Sequence, residues 1–209
     1  MKHCLTRSRL SGVTAATAVV VAATWIVPQS ARAQGPSFDC AKEPPGAIAR
    51  LVCDDAALSA LDRKLADVYG AAAKKAANEH PPTLRAEQNG WIRGRDDCWK
   101  ADDKRACVAG EYTRRIAALQ ARYRLVPGRG PVAWFCEGDL RNEIVTTFFA
   151  TEPPTLIAER GDSVSLMYRE GSGPDSRFVG RNESLKERGD GISVVWGYGA
   201  TELRCVKAP

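Results

Sequence analysis

The stretch LVPGRGP, residues 125–131, separates two parts of the chain that differ in hydrophobic periodicity. Its two prolines and two glycines in seven residues are typical of a linker. Before it, apolar residues recur every three or four positions, the period of an α-helix, and after it they come in short runs. The sequence therefore predicts an α + β protein in two modules: a helical domain over residues 38–125, a linker at 126–131 and a β domain over residues 132–206.

The helical part carries apolar stripes at helical spacing. Two of them are Leu58, Leu61, Leu65 and Val68, and then Val108, Tyr112, Ile116, Leu119 and Tyr123. Asp54 or Asp55 can cap the start of the first of these helices. His80 and two prolines end it, and Thr83 offers an N-cap to the next helix. The pattern predicts a small helical bundle that contains an antiparallel helical hairpin.

Beyond the linker, eight short runs are rich in β-branched or aromatic residues and are separated by Gly, Pro, Asn or Asp. The predicted strands cover residues 132–136, 143–149, 155–159, 163–169, 177–180, 184–187, 192–196 and 201–206. So many short strands in about 80 residues predict a compact antiparallel barrel or sandwich.

The first 33 residues have the parts of a signal peptide. Positive residues (Lys2, Arg7 and Arg9) precede an uncharged apolar run over residues 12–27 and an A-x-A site at residues 31–33. A membrane-spanning helix needs about 20 apolar residues, and this run is shorter and ends at a proline. We therefore expect cleavage after residue 33 and a periplasmic or secreted protein. No lipobox precedes Cys40, which argues against a lipid anchor.

The formal net charge of +5 comes mostly from this leader. The predicted signal peptide holds four of the 30 basic residues and none of the 25 acidic ones, which leaves a net charge of +1 for the rest. Binding to nucleic acid then loses its main electrostatic support.

Six cysteines follow the predicted leader: Cys40, Cys53, Cys98, Cys107, Cys136 and Cys205. An even number behind a secretory leader predicts three disulfides. Zinc is the alternative for the first four, but their spacing contains no C-x₂₋₄-C pair. A bond between Cys136 and Cys205 would join the first and last strands and protect the edges of the sheet.

The pairing of the four N-terminal cysteines is less constrained by the sequence. Cys98 and Cys107 flank the turn between two antiparallel helices, and Cys40 and Cys53 flank a short first helix. These positions favour local pairs, while crossed pairs that tie the first helix to the hairpin stay open.

The sequence offers little for catalysis. Beyond the predicted leader it has one histidine, His80, in a proline-rich turn, so a Ser-His-Asp triad or a histidine zinc site is hard to build. Six paired cysteines leave no free thiol. A cell-wall hydrolase would need only two of the 25 acidic residues, but no pair stands out. We therefore predict no enzyme activity, no catalytic residue, no cofactor and no metal site.

Two Gly-bounded segments between predicted strands are candidates for contact with a partner. The first is EGSGPDSRF, residues 170–178, in which Ser172 offers a compact hydroxyl. The second is WGYGA, residues 196–200, which carries the aromatic side chains of Trp196 and Tyr198. Both could be plain hairpin turns, but such loops are also how a rigid barrel presents a protruding contact.

The helical part resembles the LprI-like lysozyme-inhibitor N-terminal family over residues 38–125. The matching residues are Phe38, Asp39, Cys40, Leu51, Val52, Cys53, Leu58, Leu61, Asp62, Tyr69, Gln88, Trp91, Arg95, Asp96, Cys98, Cys107, Tyr112, Arg115 and Leu119. The resemblance implies a small cysteine-bearing helical domain of envelope proteins.

The β part resembles the membrane-bound or periplasmic inhibitors of C-type lysozyme over residues 132–206. The matching residues are Trp134, Phe135, Cys136, Glu137, Gly138, Arg177, Phe178, Trp196, Gly199, Ala200 and Leu203. The resemblance implies an eight-stranded β-barrel whose Ser-Gly loop enters the lysozyme cleft and whose second loop presents a lysine to the other catalytic carboxylate. By position these contacts map to Ser172 and to Tyr198, which stands where the family has lysine.

These resemblances predict a periplasmic, non-enzymatic inhibitor that blocks the active-site cleft of a lysozyme, with C-type lysozyme as the expected partner. The predicted contact residues are Ser172, Gly173, Arg177, Trp196 and Tyr198. The alternative is a non-catalytic binding or structural module of the cell envelope that contacts peptidoglycan or a periplasmic partner.

Overall fold

The computed structural model describes residues 35–79 and 82–208. The predicted signal peptide and His80 lie outside the described residues. Four α-helices come first: α1 (Ile48–Asp54), α2 (Ala56–Lys75), α3 (Leu84–Asp96) and α4 (Lys104–Arg122). No helix within the described ranges is long and apolar enough to cross a membrane.

Side-chain caps decide where two of the helices begin. The Asp55 carboxylate accepts hydrogen bonds from the backbone N–H groups of Ala57 and Leu58 and so caps α2, as the sequence predicts. Asp103 caps α4 in the same way. Thr83 lies at the predicted N-cap position of α3, but its side chain makes no capping hydrogen bond.

The apolar stripes of α2 and α4 meet in the core of the helical domain. Leu58 and Leu65 are buried there, while Leu61 and Val68 pack at its margin. On α4 the buried residues of the predicted stripe are Val108, Tyr112, Ile116 and Leu119. The two helices thus bury one continuous apolar face, which is what holds a bundle of this size together.

The β domain is a closed barrel of eight antiparallel strands in sequence order. They are β1 (Gly128–Cys136), β2 (Asp139–Phe149), β3 (Thr155–Arg160), β4 (Ser163–Glu170), β5 (Arg177–Val179), β6 (Glu183–Arg188), β7 (Gly191–Trp196) and β8 (Leu203–Lys207). Pairing between β1 and β8 closes the barrel and leaves no free edge. The predicted α + β fold in two modules is confirmed, and of the two predicted β architectures the structure is the barrel.

Strand β1 starts inside the predicted linker, and two glycines make this possible. A Cβ atom at Gly128 would lie 2.7 Å from Thr147, and one at Gly130 would lie 2.6 Å from the carbonyl oxygen of Thr146. Only glycine therefore lets the start of β1 approach β2 this closely. Buried side chains form the hydrophobic core of the barrel: Cys136, Ile144, Phe148, Leu156, Ala158, Met167, Phe178, Leu185, Ile192, Val194 and Cys205.

Each domain is cross-linked by its own disulfides. The bonds are Cys40–Cys53, Cys98–Cys107 and Cys136–Cys205. The first two are the local pairs that the spacing favours. Cys136 and Cys205 face each other in register on β1 and β8, so their bond fastens the strands that close the barrel.

The helical domain packs on the outside of the barrel through α4. Ala121 of α4 is fully buried in a small cluster with Phe149 of β2 and Ile157 of β3. Nearby, the guanidinium carbon of Arg114 lies 4.4 Å from the ring centroid of Tyr168 on β4, and the Tyr168 hydroxyl donates to the Arg114 carbonyl at 3.3 Å. The apolar cluster, the stacked cation and this hydrogen bond therefore help to join the two domains.

Candidate functional site

The loop that carries Ser172 joins β4 to β5 and spans residues 171–176; we call it the Ser172 loop. It contains a 3-10 turn at Gly173–Asp175, and Gly171 and Gly173 both have positive φ (74° and 61°). Ser172 and Gly173 are exposed, as is Arg177 at the start of β5. The Asp175 carboxylate lies 3.5 Å from the Lys186 ammonium, so its charge is partly balanced within the barrel.

The loop that carries Tyr198 joins β7 to β8 and spans residues 197–202; we call it the Tyr198 loop. Gly197 and Gly199 have positive φ (108° and 67°) on either side of the tyrosine, and the side chain of Tyr198 is 95% exposed. Trp196 is half-buried and packs against the barrel core instead. The glycines thus turn an aromatic ring out into solvent at the tip, while the tryptophan below it anchors the end of β7.

The barrel does not bring the Ser172 and Tyr198 loops together. Because all neighbouring strands are antiparallel and follow sequence order, successive connections alternate between the two ends of the barrel. Three strands, β5 to β7, lie between the two loops, and an odd number places them at opposite ends. The six residues of β7 span up to about 20 Å at roughly 3.3 Å per residue. A partner's cleft that receives one end of the barrel therefore contacts either Ser172 or Tyr198, but not both.

The end that carries Tyr198 also carries the turns at residues 137–138, 161–162 and 180–182, and we call it the Tyr198 end. The Gly197 N–H donates to the Asn182 carbonyl at 3.2 Å, which ties the Tyr198 loop to the β5–β6 turn. Arg181 is exposed in that turn, and within the described part of the chain its side chain makes no hydrogen bond or ion pair. A free cation thus sits in a turn that is bonded directly to the loop of an exposed aromatic ring.

An open depression at the Tyr198 end is lined by Trp196 and by polar or charged side chains: Asp139, Arg141, Asn142, Glu143 and Arg160. Arg141 pairs with Asp139 at 3.1 Å, and its hydrogen bonds hold the pKa of that carboxyl below its usual value. Arg160 donates to the Asn142 side-chain oxygen at 2.9 Å. These two arginines are therefore engaged within the barrel, in contrast to Arg181.

The helical domain holds a buried polar chain between α2, α3 and α4. The Tyr112 hydroxyl donates to Asp62 at 2.8 Å and accepts from Arg95 at 2.8 Å, and Asp62 also accepts from the Ser37 N–H at 2.6 Å. Burial raises the pKa of the Tyr112 hydroxyl. Burial by itself would lower the pKa of Arg95, but Tyr112 and Asp96 outweigh it and the pKa is raised. The arginine thus stays charged and the tyrosine neutral.

A cavity of ≈ 370 Å³ opens beside this polar chain. We call it the Trp91 cavity, and its lining includes Phe38, Glu43, Tyr69, Gln88, Trp91 and Arg95. Several of these residues carry the family resemblance of the helical domain, but sequence reasoning assigned none of them a site. Their spacing could have indicated one, since Gln88, Trp91 and Arg95 lie on one face of α3.

The fold and its exposed loops define a class: a two-domain α + β protein, cross-linked within each domain, that presents barrel loops and a helical-domain cavity. Comparison with known proteins is more specific. A family model described as lysozyme inhibitor LprI matches residues 40–126, which is the helical domain up to the start of β1. This match confirms the predicted resemblance of that domain.

Relatives named Lipoprotein LprI, from Mycobacterium bovis and from Mycobacterium tuberculosis, are each 30% identical to this chain over 148 residues. The alignments cover 69% of this chain and 71% of each relative. The chain therefore belongs to the LprI family of lysozyme inhibitors. No solved structure matches it.

Proposed function

We propose that this protein is a periplasmic or secreted inhibitor of lysozyme that acts by occupying the enzyme's cleft without chemistry of its own. The observation that carries the proposal is membership of the lysozyme inhibitor LprI family, with relatives that share 30% of their residues over 148 positions. The predicted signal peptide supports the location. C-type lysozyme is the expected target, from the resemblance of the barrel sequence to inhibitors of that class.

The contact surface that we propose is the Tyr198 end of the barrel. Tyrosine is among the residues that most often dominate the energy of a protein interface, because its ring is large, rigid and amphipathic. Tyr198 is 95% exposed, and the glycines on both sides give it little to contact within its own chain. Burial of this ring in a cleft would remove apolar surface from water at little cost in side-chain entropy.

Arg181 supplies the charge that such a contact needs. Lysozyme catalysis depends on two carboxyl groups that flank the scissile bond, and a guanidinium can form paired hydrogen bonds to a carboxylate. The turn that carries Arg181 is bonded to the Tyr198 loop at 3.2 Å, so the two side chains would approach one cleft together. We propose that Arg181 takes the role that lysine has in the barrel inhibitors of C-type lysozyme, which the β domain resembles in sequence.

In a second orientation, the opposite end of the barrel enters the cleft. The contact residues are then Ser172, Gly173 and Arg177. The Ser172 loop is exposed, and two of its glycines adopt the positive φ that a tight turn requires. This loop could therefore also reach into a cleft. Its acidic residue, Asp175, would face the catalytic carboxylates of the enzyme and would disfavour this orientation. We therefore prefer the Tyr198 end.

The function is tested by adding the purified mature protein to C-type, G-type and I-type lysozymes that act on cell-wall suspensions. We expect dose-dependent inhibition of the C-type enzyme, seen as slower loss of turbidity, and weaker or no inhibition of the other two. If none of the three is inhibited at micromolar concentration, the proposed function is wrong. Loss of turbidity without added lysozyme would instead indicate a hydrolase.

A further inference from the structure

The Trp91 cavity lies in the helical domain, on a part of the molecule that the proposed contact at the Tyr198 end does not use. Its volume of ≈ 370 Å³ falls within the range of small-molecule sites, about 300–1,000 Å³. Two of its lining residues, Asp62 and Arg95, are joined by hydrogen bonds through the Tyr112 hydroxyl behind them. These bonds hold that part of the cavity wall in place.

Three half-buried polar groups in this cavity have bonding capacity to spare. In the described part of the chain, neither the Glu43 carboxylate nor the Tyr69 hydroxyl has a hydrogen-bond partner. The side-chain oxygen of Gln88 accepts from Arg115 at 2.9 Å, but the Gln88 amide NH₂ donates to no residue that the structure describes. All three residues are half-buried, so these groups can bond to water or to a ligand that enters the cavity.

The charges of the cavity exclude most ionic ligands. Glu43 carries an unbalanced negative charge, which disfavours phosphates and carboxylates. An ammonium group could bind Glu43, but it has only donors and would meet the Gln88 NH₂ and the guanidinium of Arg95. Arg95 itself is already balanced by Asp96 at 2.7 Å. A neutral ligand with both donors and acceptors matches this set best.

Three aromatic rings line the cavity together with several aliphatic side chains: those of Phe38, Tyr69 and Trp91. The indole of Trp91 is held in place, since it packs edge-on against Tyr112 with ring centroids 5.2 Å apart and its N–H donates to the Glu111 carbonyl at 3.3 Å. Sugar rings combine an apolar C–H face, which stacks on such rings, with polar edges. An N-acetyl group adds an amide N–H for Glu43 and a carbonyl for Gln88.

We propose that the Trp91 cavity is a carbohydrate-binding site that takes an N-acetylhexosamine unit of a glycan. The aromatic rings contact the apolar face of the sugar, Glu43 accepts from its acetamido N–H, and Gln88 donates to the acetamido carbonyl. Tyr69 bonds a ring hydroxyl. This site is separate from the Tyr198 end and does not depend on inhibition of lysozyme.

The test is a titration of the disulfide-bonded mature protein with the trimer of N-acetylglucosamine, without lysozyme, followed by calorimetry and by amide chemical shifts. We expect saturable binding with shifts confined to the Trp91 cavity. Glu43→Gln replaces a charged acceptor by a neutral one, and Tyr69→Phe removes one hydrogen bond, so each should weaken binding about fivefold or more. Trp99→Phe is the matched control, because Trp99 is exposed and is not part of the lining, and it should bind like the parent protein.

A trimer of unsubstituted glucose should bind more weakly, because it lacks the acetamido group. The proposal is overturned by the absence of saturable binding, by equal binding of both trimers, or by binding that neither Glu43→Gln nor Tyr69→Phe weakens. Inhibition of lysozyme by the same variants is measured in parallel without sugar. Since the two readouts are separate, failure of either proposal is recognised without reference to the other.

Discussion

Tyr112 joins two buried charged groups of the helical domain through a single hydroxyl. Asp62 and Arg95 are 7% and 6% exposed, and each has a hydrogen bond to this oxygen at 2.8 Å. Tyr112→Phe keeps the ring but leaves the buried Asp62 and Arg95 side chains each one hydrogen-bond partner short. We expect this variant to lose about 1–3 kcal/mol of unfolding free energy, measured by urea denaturation.

Tyr69→Phe is the matched control, because the structure gives the Tyr69 hydroxyl no hydrogen bond among the described residues. Its unfolding free energy should stay within about 0.5 kcal/mol of the parent protein. Equal losses in the two variants would mean that the Tyr112 hydroxyl bears no special role in the core.

Local sequence patterns predict the structural roles of some residues and not of others. Asp55 could be predicted as a cap because a cap acts on backbone groups two or three residues away. Thr83 has the same type of signal, but its backbone is already helical (φ −89°, ψ −28°), a geometry that does not suit a capping side chain. Tyr112 could be predicted as core, whereas its partners at Asp62 and Arg95 lie too far along the chain for spacing to reveal.

Among the elements of the barrel, β1 and β8 are fastened to each other by the Cys136–Cys205 bond. It closes a stretch of 69 residues, against 13 for Cys40–Cys53. In the loop-entropy model, removal of the two bonds should cost about 4 and about 3 kcal/mol respectively. We therefore expect Cys136→Ala/Cys205→Ala to destabilise the protein more than Cys40→Ala/Cys53→Ala, measured by chemical denaturation. A smaller loss for the barrel pair would contradict this order.

The strand pattern predicts more about the candidate site than residue matching does. Eight strands could be read from the alternation of β-branched runs and turn residues, and the closed barrel has that number. Residue matching nevertheless paired Ser172 with Tyr198, although the three predicted strands between them already imply opposite ends of a meander. No sequence pattern predicts the proposed contact at Arg181, because only the fold places its turn beside the Tyr198 loop.

At the scale of the whole molecule, the packing of α4 on the barrel could not be predicted from the sequence. Periodicity predicts which faces of a helix or strand are apolar. It does not predict that Ala121, Phe149 and Ile157 form one cluster between the two domains. A small side chain at Ala121 lets α4 approach the sheet, and Arg114 stacks on Tyr168 beside it. It stays a prediction that residues 126–131 are a linker between two domains that fold independently.

We propose that the whole protein inhibits lysozyme through the Tyr198 end of its barrel. The most direct measurement is the inhibition constant against a C-type lysozyme for single variants at each end. We predict that Tyr198→Ala and Arg181→Ala each weaken inhibition about tenfold or more. Ser172→Ala, at the other end, and Val206→Ala, on the exposed wall of β8, should inhibit like the parent protein. Loss of inhibition in Ser172→Ala with full inhibition in Tyr198→Ala would place the contact at the opposite end of the barrel and overturn this proposal.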